Sequence, residues 1–136
     1  MAETLRLDIV TPQATVFSAD VSMVTLPVAG EELGVYPHHV RVITQIVPGE
    51  IIINQDGSER FLAVGEGLVE IAGDHVSIVT DMAIPAEQID EAKLEDARAR
   101  AAARLQEKIS DEEVASVNAS LARSLAQLQV KRRRKV

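Results

Sequence analysis

The chain contains no cysteine, so it has neither disulfides nor thiolate metal ligands, and no cysteine nucleophile. Aromatic residues are 2% of its 136 positions, one Tyr and two Phe. A core must therefore be built from Val, Ile, Leu and Ala. Nucleic-acid modules that stack bases on aromatic rings are disfavoured for the same reason. No apolar run approaches the roughly 18–20 residues that a membrane helix needs. The opening Met1-Ala2-Glu3-Thr4 is acidic, and no apolar signal stretch follows it. The expectation is a soluble chain that meets a membrane only through a partner. Glycine and proline are absent from position 89 onward.

What is present divides the chain in two. The net charge is −7, but residues 1–86 carry −9 and residues 87–136 carry +2, and all four lysines lie in the second part. Such a shift predicts two units with different surroundings, 1–85 and 86–136.

The first unit reads as β structure. Leu5, Leu7 and Ile9 alternate with polar neighbours, the period of a half-buried strand, and Pro12 ends the run. Val21, Met23 and Thr25 lie on one face of the next stretch and Val24 and Leu26 on the other, predicting a strand buried on both sides. Turn signals follow at Ala29-Gly30-Glu31-Glu32, at Pro48-Gly49 after the β-branched stretch 40–47, and at Asp56-Gly57 after Ile51-Ile52-Ile53. Short apolar runs at 61–64, 68–71 and 76–79 are punctuated by Gly65, Gly67 and Gly73-Asp74. Many short strands with closely spaced turns predict an all-β sandwich or barrel.

Pro85 marks the switch to helix. Ala, Leu, Glu, Arg and Lys dominate beyond it, predicting a helix over about 89–108 with Ala92, Ala99, Ala103, Ile89 and Leu105 on its apolar face. Ser110-Asp111-Glu112-Glu113 is a capping box, in which the serine starts a new helix and Glu113 reaches back. Val114, Val117, Leu121, Leu125 and Leu128 recur as one stripe on that helix. The fold class is α+β: an N-terminal β domain followed by an antiparallel two-helix hairpin. Alanine-rich helices bury little area, so such a hairpin could detach at low cost.

No catalytic constellation stands out. His38 and His39 are adjacent in an extended segment and point to opposite faces, which argues against a shared metal. Gly65-Glu66-Gly67 lacks the third glycine and the following helix of a dinucleotide site, and reads as a turn. The acidic residues of the first unit are spread singly, as on a solvated surface. Lys131-Arg132-Arg133-Arg134-Lys135 reads first as a frayed, solvated tail. Contact with an acidic protein surface is the second reading, and nucleic acid or anionic lipid the third. Arg98, Arg100 and Arg104 cluster on the first helix and Arg123 sits on the second. A solvated face is their default reading, and an anion site between the helices the alternative. The residues alone give a non-enzymatic β domain with a helical hairpin, and leave its partner open.

The segment Glu31-Glu32-Leu33-Gly34-Val35-Tyr36-Pro37-His38-His39 closely resembles the pattern GELGILPGH of F-type ATP synthase epsilon subunits. Further blocks resemble that family in the same order: Leu7-Asp8-Ile9-Val10-Thr11-Pro12, Val16-Phe17-Ser18, Val64-Gly65-Glu66-Gly67-Leu68-Val69-Glu70-Ile71, Val76-Ser77-Ile78-Val79-Thr80-Asp81, Ile89-Asp90-Glu91-Ala92 and Ala122-Arg123 onward. The resemblance implies a β-sandwich of about ten strands bound to the gamma subunit and to the loops of the membrane c-ring. It also implies a hairpin that can extend along gamma into the alpha/beta catalytic head and block rotation during hydrolysis. Glu32 and His39 match positions near the c-ring loops, while His38 and Arg41 depart from the usual Gly or Asn and Pro. The basic Arg98 and Arg104 would face the head. Family members that bind regulatory ATP use an I/L-D-x-x-R-A motif plus further arginines. Ile89, Asp90, Arg100 and Arg123 match, but Lys93 and Leu94 replace the motif's Arg and Ala, and Gln127 stands where another Arg is often found. Lysine lacks the bidentate fork, so weak or absent ATP binding is expected, with no other cofactor and no metal. The implied location is the cytoplasmic face of a bacterial plasma membrane, peripheral through the complex, with no nucleic-acid partner and no direct insertion. The rival class is a β-sandwich scaffold or binding module with a helical tail, unrelated to ATP synthase.

Overall fold

Leu5, Leu7 and Ile9 are buried while their neighbours are exposed or half-buried, as their alternation predicts. They belong to the first of ten strands found among the described residues, 3–134, of the computed structural model. Met1, Ala2, Lys135 and Val136 lie outside that range. The strands are β1 (Leu5–Val10), β2 (Thr15–Val21), β3 (Met23–Val28), β4 (Glu31–Val35), β5 (His39–Ile46), β6 (Gly49–Gln55), β7 (Ser58–Val64), β8 (Gly67–Gly73), β9 (His75–Thr80) and β10 (Ala83–Pro85). A 3-10 turn, Ala86–Gln88, leads to helices α1 (Glu91–Leu105) and α2 (Asp111–Arg133).

The strands form two five-stranded sheets, in the orders β2-β1-β9-β8-β5 and β10-β7-β6-β3-β4. Only the β1–β9 pair is parallel. Val, Leu and Ile side chains from both sheets, with Phe17, meet in one core. This is the sandwich solution to two half-apolar sheets, and the barrel alternative falls. At Asp56-Gly57 both residues have positive φ, 51° and 78°, the primed hairpin turn that the sequence signalled.

Segment 21–26 departs from the expected two-sided strand. The chain leaves the first sheet at Val21 and enters the second at Met23, so Ser22 is a crossing point rather than mid-strand. The crossing shifts the parity: Val21, Val24 and Leu26 point inward, and Met23 and Thr25 are only half-buried. Consecutive burial is confined in β3 to Leu26 and Pro27, and it is longest at the end of β7, where Leu62, Ala63 and Val64 are all buried. Ala63 faces away from the sandwich core and packs with Phe61, Ile84, Ala86, Ile89, Leu94 and Val130. That second cluster seats the hairpin on the second sheet.

The first helix is shorter than expected. Ile89 is extended and buried, and Asp90 caps α1 by accepting a hydrogen bond from the Lys93 amide at 3.2 Å. Its inner face is Leu94, Ala97, Ala101 and Leu105, all half-buried, whereas Ala92, Ala99 and Ala103 are exposed. Ser110 caps α2, accepting from the Glu113 amide at 3.2 Å, but the Glu113 carboxylate reaches the serine hydroxyl and Arg104 rather than the serine amide. Val114, Val117 and Leu121 are half-buried and Leu128 is buried, but Leu125 is 41% exposed. Burial passes to Ala126 and Val130, because the C-terminal half of α2 packs on the sandwich as well as on α1.

Two glycines mark close backbone approaches. A Cβ on Gly67 would lie 2.2 Å from the Val79 carbonyl oxygen, and one on Gly65 would meet the Asp81 carboxylate at 1.9 Å. Backbone cannot yield, whereas a carboxylate can swing away. Gly67→Ala is therefore expected to cost about 3 kcal/mol and Gly65→Ala about 1 kcal/mol, read from urea unfolding midpoints.

Candidate functional site

The two outer faces of the sandwich differ. The hairpin covers the second sheet. The first sheet carries an apolar row, Val10 on β1 opposite Val79 on β9, which is opposite Leu68 on β8. Val79 is 57% exposed and Leu68 53%. The row borders an open groove of about 520 Å³ that Thr11, Pro12, Glu66, Gly67, Thr80 and Asp81 also line. Ile43, 67% exposed on the edge strand β5, lies beyond Glu70 in the adjacent row. Val79 and Leu68 break the alternation set by Val76/Ile78 and Val69/Ile71, and that out-of-phase apolar character is the signal by which the sequence could have shown them. Both also sit inside continuous apolar runs, 68–71 and 76–79, which mask that phase.

Beside the row the same face is polar and tightly paired. Asp8 accepts from the Ser18 hydroxyl and pairs with His75 Nε2 at 2.8 Å, while Arg6 donates to Ser18 at 2.7 Å. The Ser18 hydrogen bond, helped by His75 and Arg6, holds the Asp8 carboxyl below its ordinary value. These groups are already satisfied among themselves, so they frame the apolar row.

Glu32 is exposed on β4 and His39 opens β5. His39 Nδ1 donates to the Val40 carbonyl at 2.7 Å. His38 sits in the left-handed region at φ 67°, where Gly or Asn is the easier residue, which accounts for the family's usual Gly or Asn at this position. Its amide donates to Asp74 Oδ1 at 3.0 Å, and its ring faces Glu3 and Asp74 at 3.1 and 3.3 Å. The two imidazoles thus have separate partners. Tyr36 and Val40 are largely exposed in the same region.

The helix arginines are mostly paired. Arg98 meets Glu95 at 3.1 Å, and Arg104 meets Glu107 and Glu113. Arg123 leaves the hairpin and pairs with Asp81 of the sandwich at 3.4 Å. Asp90 is engaged as a cap, Ile89 is buried against Ala63 and Val130, and Lys93 and Arg100 are exposed. The concavity on α1 is lined by Glu95, Arg98, Ala99 and Ala102 instead.

The basic run is not a frayed, solvated tail over its described part; Lys135 lies outside the described residues. Helix α2 continues to Arg133. Arg132 pairs with Glu91 and Glu95 on α1, and Arg133 and Arg134 pair with Glu50 on β6. The Arg132 hydrogen bond is the main reason that the Glu95 carboxyl is held below its ordinary value.

Fold and surfaces define a β-sandwich interaction module, with a helical hairpin docked on one face and an apolar row open on the other. The sequence profile of the family described as ATP synthase, Delta/Epsilon chain, beta-sandwich domain matches residues 4–86. Among curated relatives, an ATP synthase epsilon chain of Ruthia magnifica is 32% identical over 127 residues, covering 93% of this chain and 92% of that one. One of Bacillus licheniformis is 34% identical over 130 residues, covering 96% and 99%. One of Polaromonas naphthalenivorans is 36% identical over 126 residues, covering 92% and 91%. The chain belongs to the ATP synthase delta/epsilon family, and within it is similar to epsilon chains, which are non-catalytic components of that enzyme. The rival reading as an unrelated scaffold is thereby set aside. The fold also matches a chain of the Euglena gracilis mitochondrial ATP synthase OSCP/F1/c-ring structure, with TM-score 0.73 and 21% identity over 88% of this chain and 76% of that one. A chain of the Tetrahymena thermophila mitochondrial ATP synthase central stalk and c-ring structure gives TM-score 0.62 and 12% identity over 95% and 97%. At these identities the likeness is one of fold. No helix among the described residues is long and apolar enough to cross a membrane.

Proposed function

We propose that the chain is the epsilon component of the central stalk in a proton-translocating ATP synthase, joining gamma to the c-ring and restraining ATP hydrolysis through its helices. The observation that carries this is the asymmetry of the sandwich. One outer face is covered by the chain's own hairpin, and the other exposes Val79, Leu68 and Ile43 beside half-buried Val10. Exposed apolar rows of this kind are docking surfaces, and this reading assigns gamma as the occupant. Glu32, on β4 near Pro27, and His39, at the start of β5, would meet the polar c-ring loops.

The hairpin supplies the restraint. Its seat on the second sheet is a cluster separate from the sandwich core, Ala63, Ala86, Ile89 and Val130 ringed by half-buried Phe61, Met82, Ile84 and Leu94. Arg98 and Arg104 are paired only with exposed carboxylates of the hairpin itself. Such pairs contribute about 0–1 kcal/mol each, so exchanging them for carboxylates of the alpha/beta head costs little. The chain would then work at the cytoplasmic face of a bacterial plasma membrane, peripheral through the complex. The test is co-purification of the chain with gamma and the effect of added chain on ATP hydrolysis by the reconstituted catalytic head. Binding with slowed turnover supports the reading, and neither effect overturns it.

Regulatory ATP binds weakly or not at all. Lys93 stands where a bidentate fork is needed, Asp90 is engaged as a cap, and Arg123 is turned toward Asp81. Calorimetric titration of the isolated chain is expected to show affinity weaker than micromolar; a micromolar site would overturn this.

A further inference from the structure

We propose that the basic C-terminal run is a charge clasp that holds the hairpin on the sandwich and sets the fraction of molecules in which the hairpin is free. The clasp joins residues far apart in sequence. Arg134 Nε and Nη2 each donate to the Glu50 carboxylate at 3.0 Å, a bidentate fork, and Arg133 Nη1 lies 3.8 Å from the same group. The Arg134 guanidinium also lies over the Phe61 ring, 4.2 Å from its centroid. One turn away, Lys131 Nζ donates to the Ala86 carbonyl at 3.5 Å, and Arg132 binds Glu91 and Glu95 on α1. Four consecutive cations thus tie α2 to β6, to the 3-10 turn and to α1.

Burial makes the Glu50 contact the strongest arm. The Glu50 side chain is only 7% exposed and the Arg134 side chain 28%, whereas the carboxylates that meet Arg132 are 45% and 35% exposed. A covered carboxylate with its partner removed is costly, and salt screens it less than the exposed pairs. Glu31 and Glu32 line the same crevice as Glu50 and Arg133, so the local field also favours the cations. The apolar seat beneath, Ala63, Ala86, Ile89 and Val130 with Phe61, Met82, Ile84 and Leu94 packed around them, acts through area and shape and does not respond to charge. Charge pairing is therefore the adjustable part of the docking free energy.

The clasp is a property of the isolated chain; only its consequence for hydrolysis rests on the stalk reading above. The absence of cysteine makes the test direct. Spin labels on Ser58→Cys and Ser116→Cys, both exposed sites, report the sandwich–hairpin separation by electron–electron dipolar spectroscopy. The parent chain is expected to give one narrow distance. Arg134→Gln should raise the ratio of detached to docked hairpin about tenfold, the effect of losing about 1.4 kcal/mol. Glu50→Gln added to Arg134→Gln should change that ratio little further, because both remove one contact. A chain ending at Val130 leaves every sandwich residue intact and should release the hairpin further. Unchanged distances in Arg134→Gln and in the shortened chain overturn the proposal, as do fully additive effects of the two substitutions. Loss of gamma binding in otherwise clasped molecules would count against the stalk reading alone.

Discussion

Val79→Glu is expected to weaken binding to gamma by about 100-fold while leaving the unfolding midpoint within a degree or two. The side chain is 57% exposed and stands in the centre of the Val10–Val79–Leu68 row. Nothing in the free chain packs closely over it, and surface substitutions of this type change stability by about 0.5 kcal/mol or less. A docked partner would have to bury the new carboxylate in an apolar seat without a counter-charge. Burying an unpaired charged group costs at least about 2.7 kcal/mol, which is about 100-fold in affinity. Leu68→Glu should do the same, since Leu68 is its cross-strand neighbour. Ser58→Glu at the β6–β7 turn is the control and should bind as the parent does. Surface-immobilised gamma with the variants in solution gives the three affinities. If Val79→Glu binds as tightly as Ser58→Glu, the first sheet is not the docking face.

Much of the fold was legible because local rules and tertiary packing agree. The alternation of Leu5, Leu7 and Ile9, the Asp56-Gly57 turn, and the Ser110 cap each state a local preference that the structure keeps. The failures share another cause. At Ser22 the chain changes sheets without a Gly or Pro to announce it, so strand parity could not be followed across it. On α1 alanine occupies positions all round the helix, so the choice between an Ala92/Ala99/Ala103 face and the true Leu94/Ala97/Ala101/Leu105 face depends on what packs against it. The basic run looked like a solvated tail because its partner, Glu50, is 84 residues away from Arg134. Charge balance registered an acidic sandwich and a basic end, but not that the two meet.

The sites follow the same division. Glu32 and His39 are proposed from resemblance alone, and the left-handed φ at His38 gives a backbone reason for the family's Gly or Asn at that position. The apolar row could not be picked out locally, because Val10, Leu68 and Val79 come from three strands that are neighbours only in the sheet order β1-β9-β8. Arg123 was a candidate for an anion site between the helices. Its pairing with Asp81 shows a side chain used to fasten the hairpin outward to the sandwich.

That fastening gives the second large effect. With Asp81 and Arg123 both changed to cysteine and joined by a cleavable bis-maleimide, the hairpin is expected to stay docked and the chain to lose its restraint on hydrolysis. The parent chain has no cysteine, so the linker can react only at the two chosen positions. Asp81 and Arg123 face each other across the sandwich–hairpin seam, with their charged groups 3.4 Å apart, so a short spacer should span the gap without moving α2. Their pairing is exposed and contributes about 0–1 kcal/mol, so the uncoupled double variant should fold and restrain hydrolysis much as the parent does. The linked chain keeps the first sheet open and should still bind gamma. Turnover of the reconstituted head should then match that of the head without the chain, and cleaving the linker should bring the restraint back. A single molecule that gains and loses restraint on cleavage separates hairpin release from binding. If the linked chain restrains hydrolysis as strongly as the cleaved one, the helices act while docked and their extension into the head is not the brake.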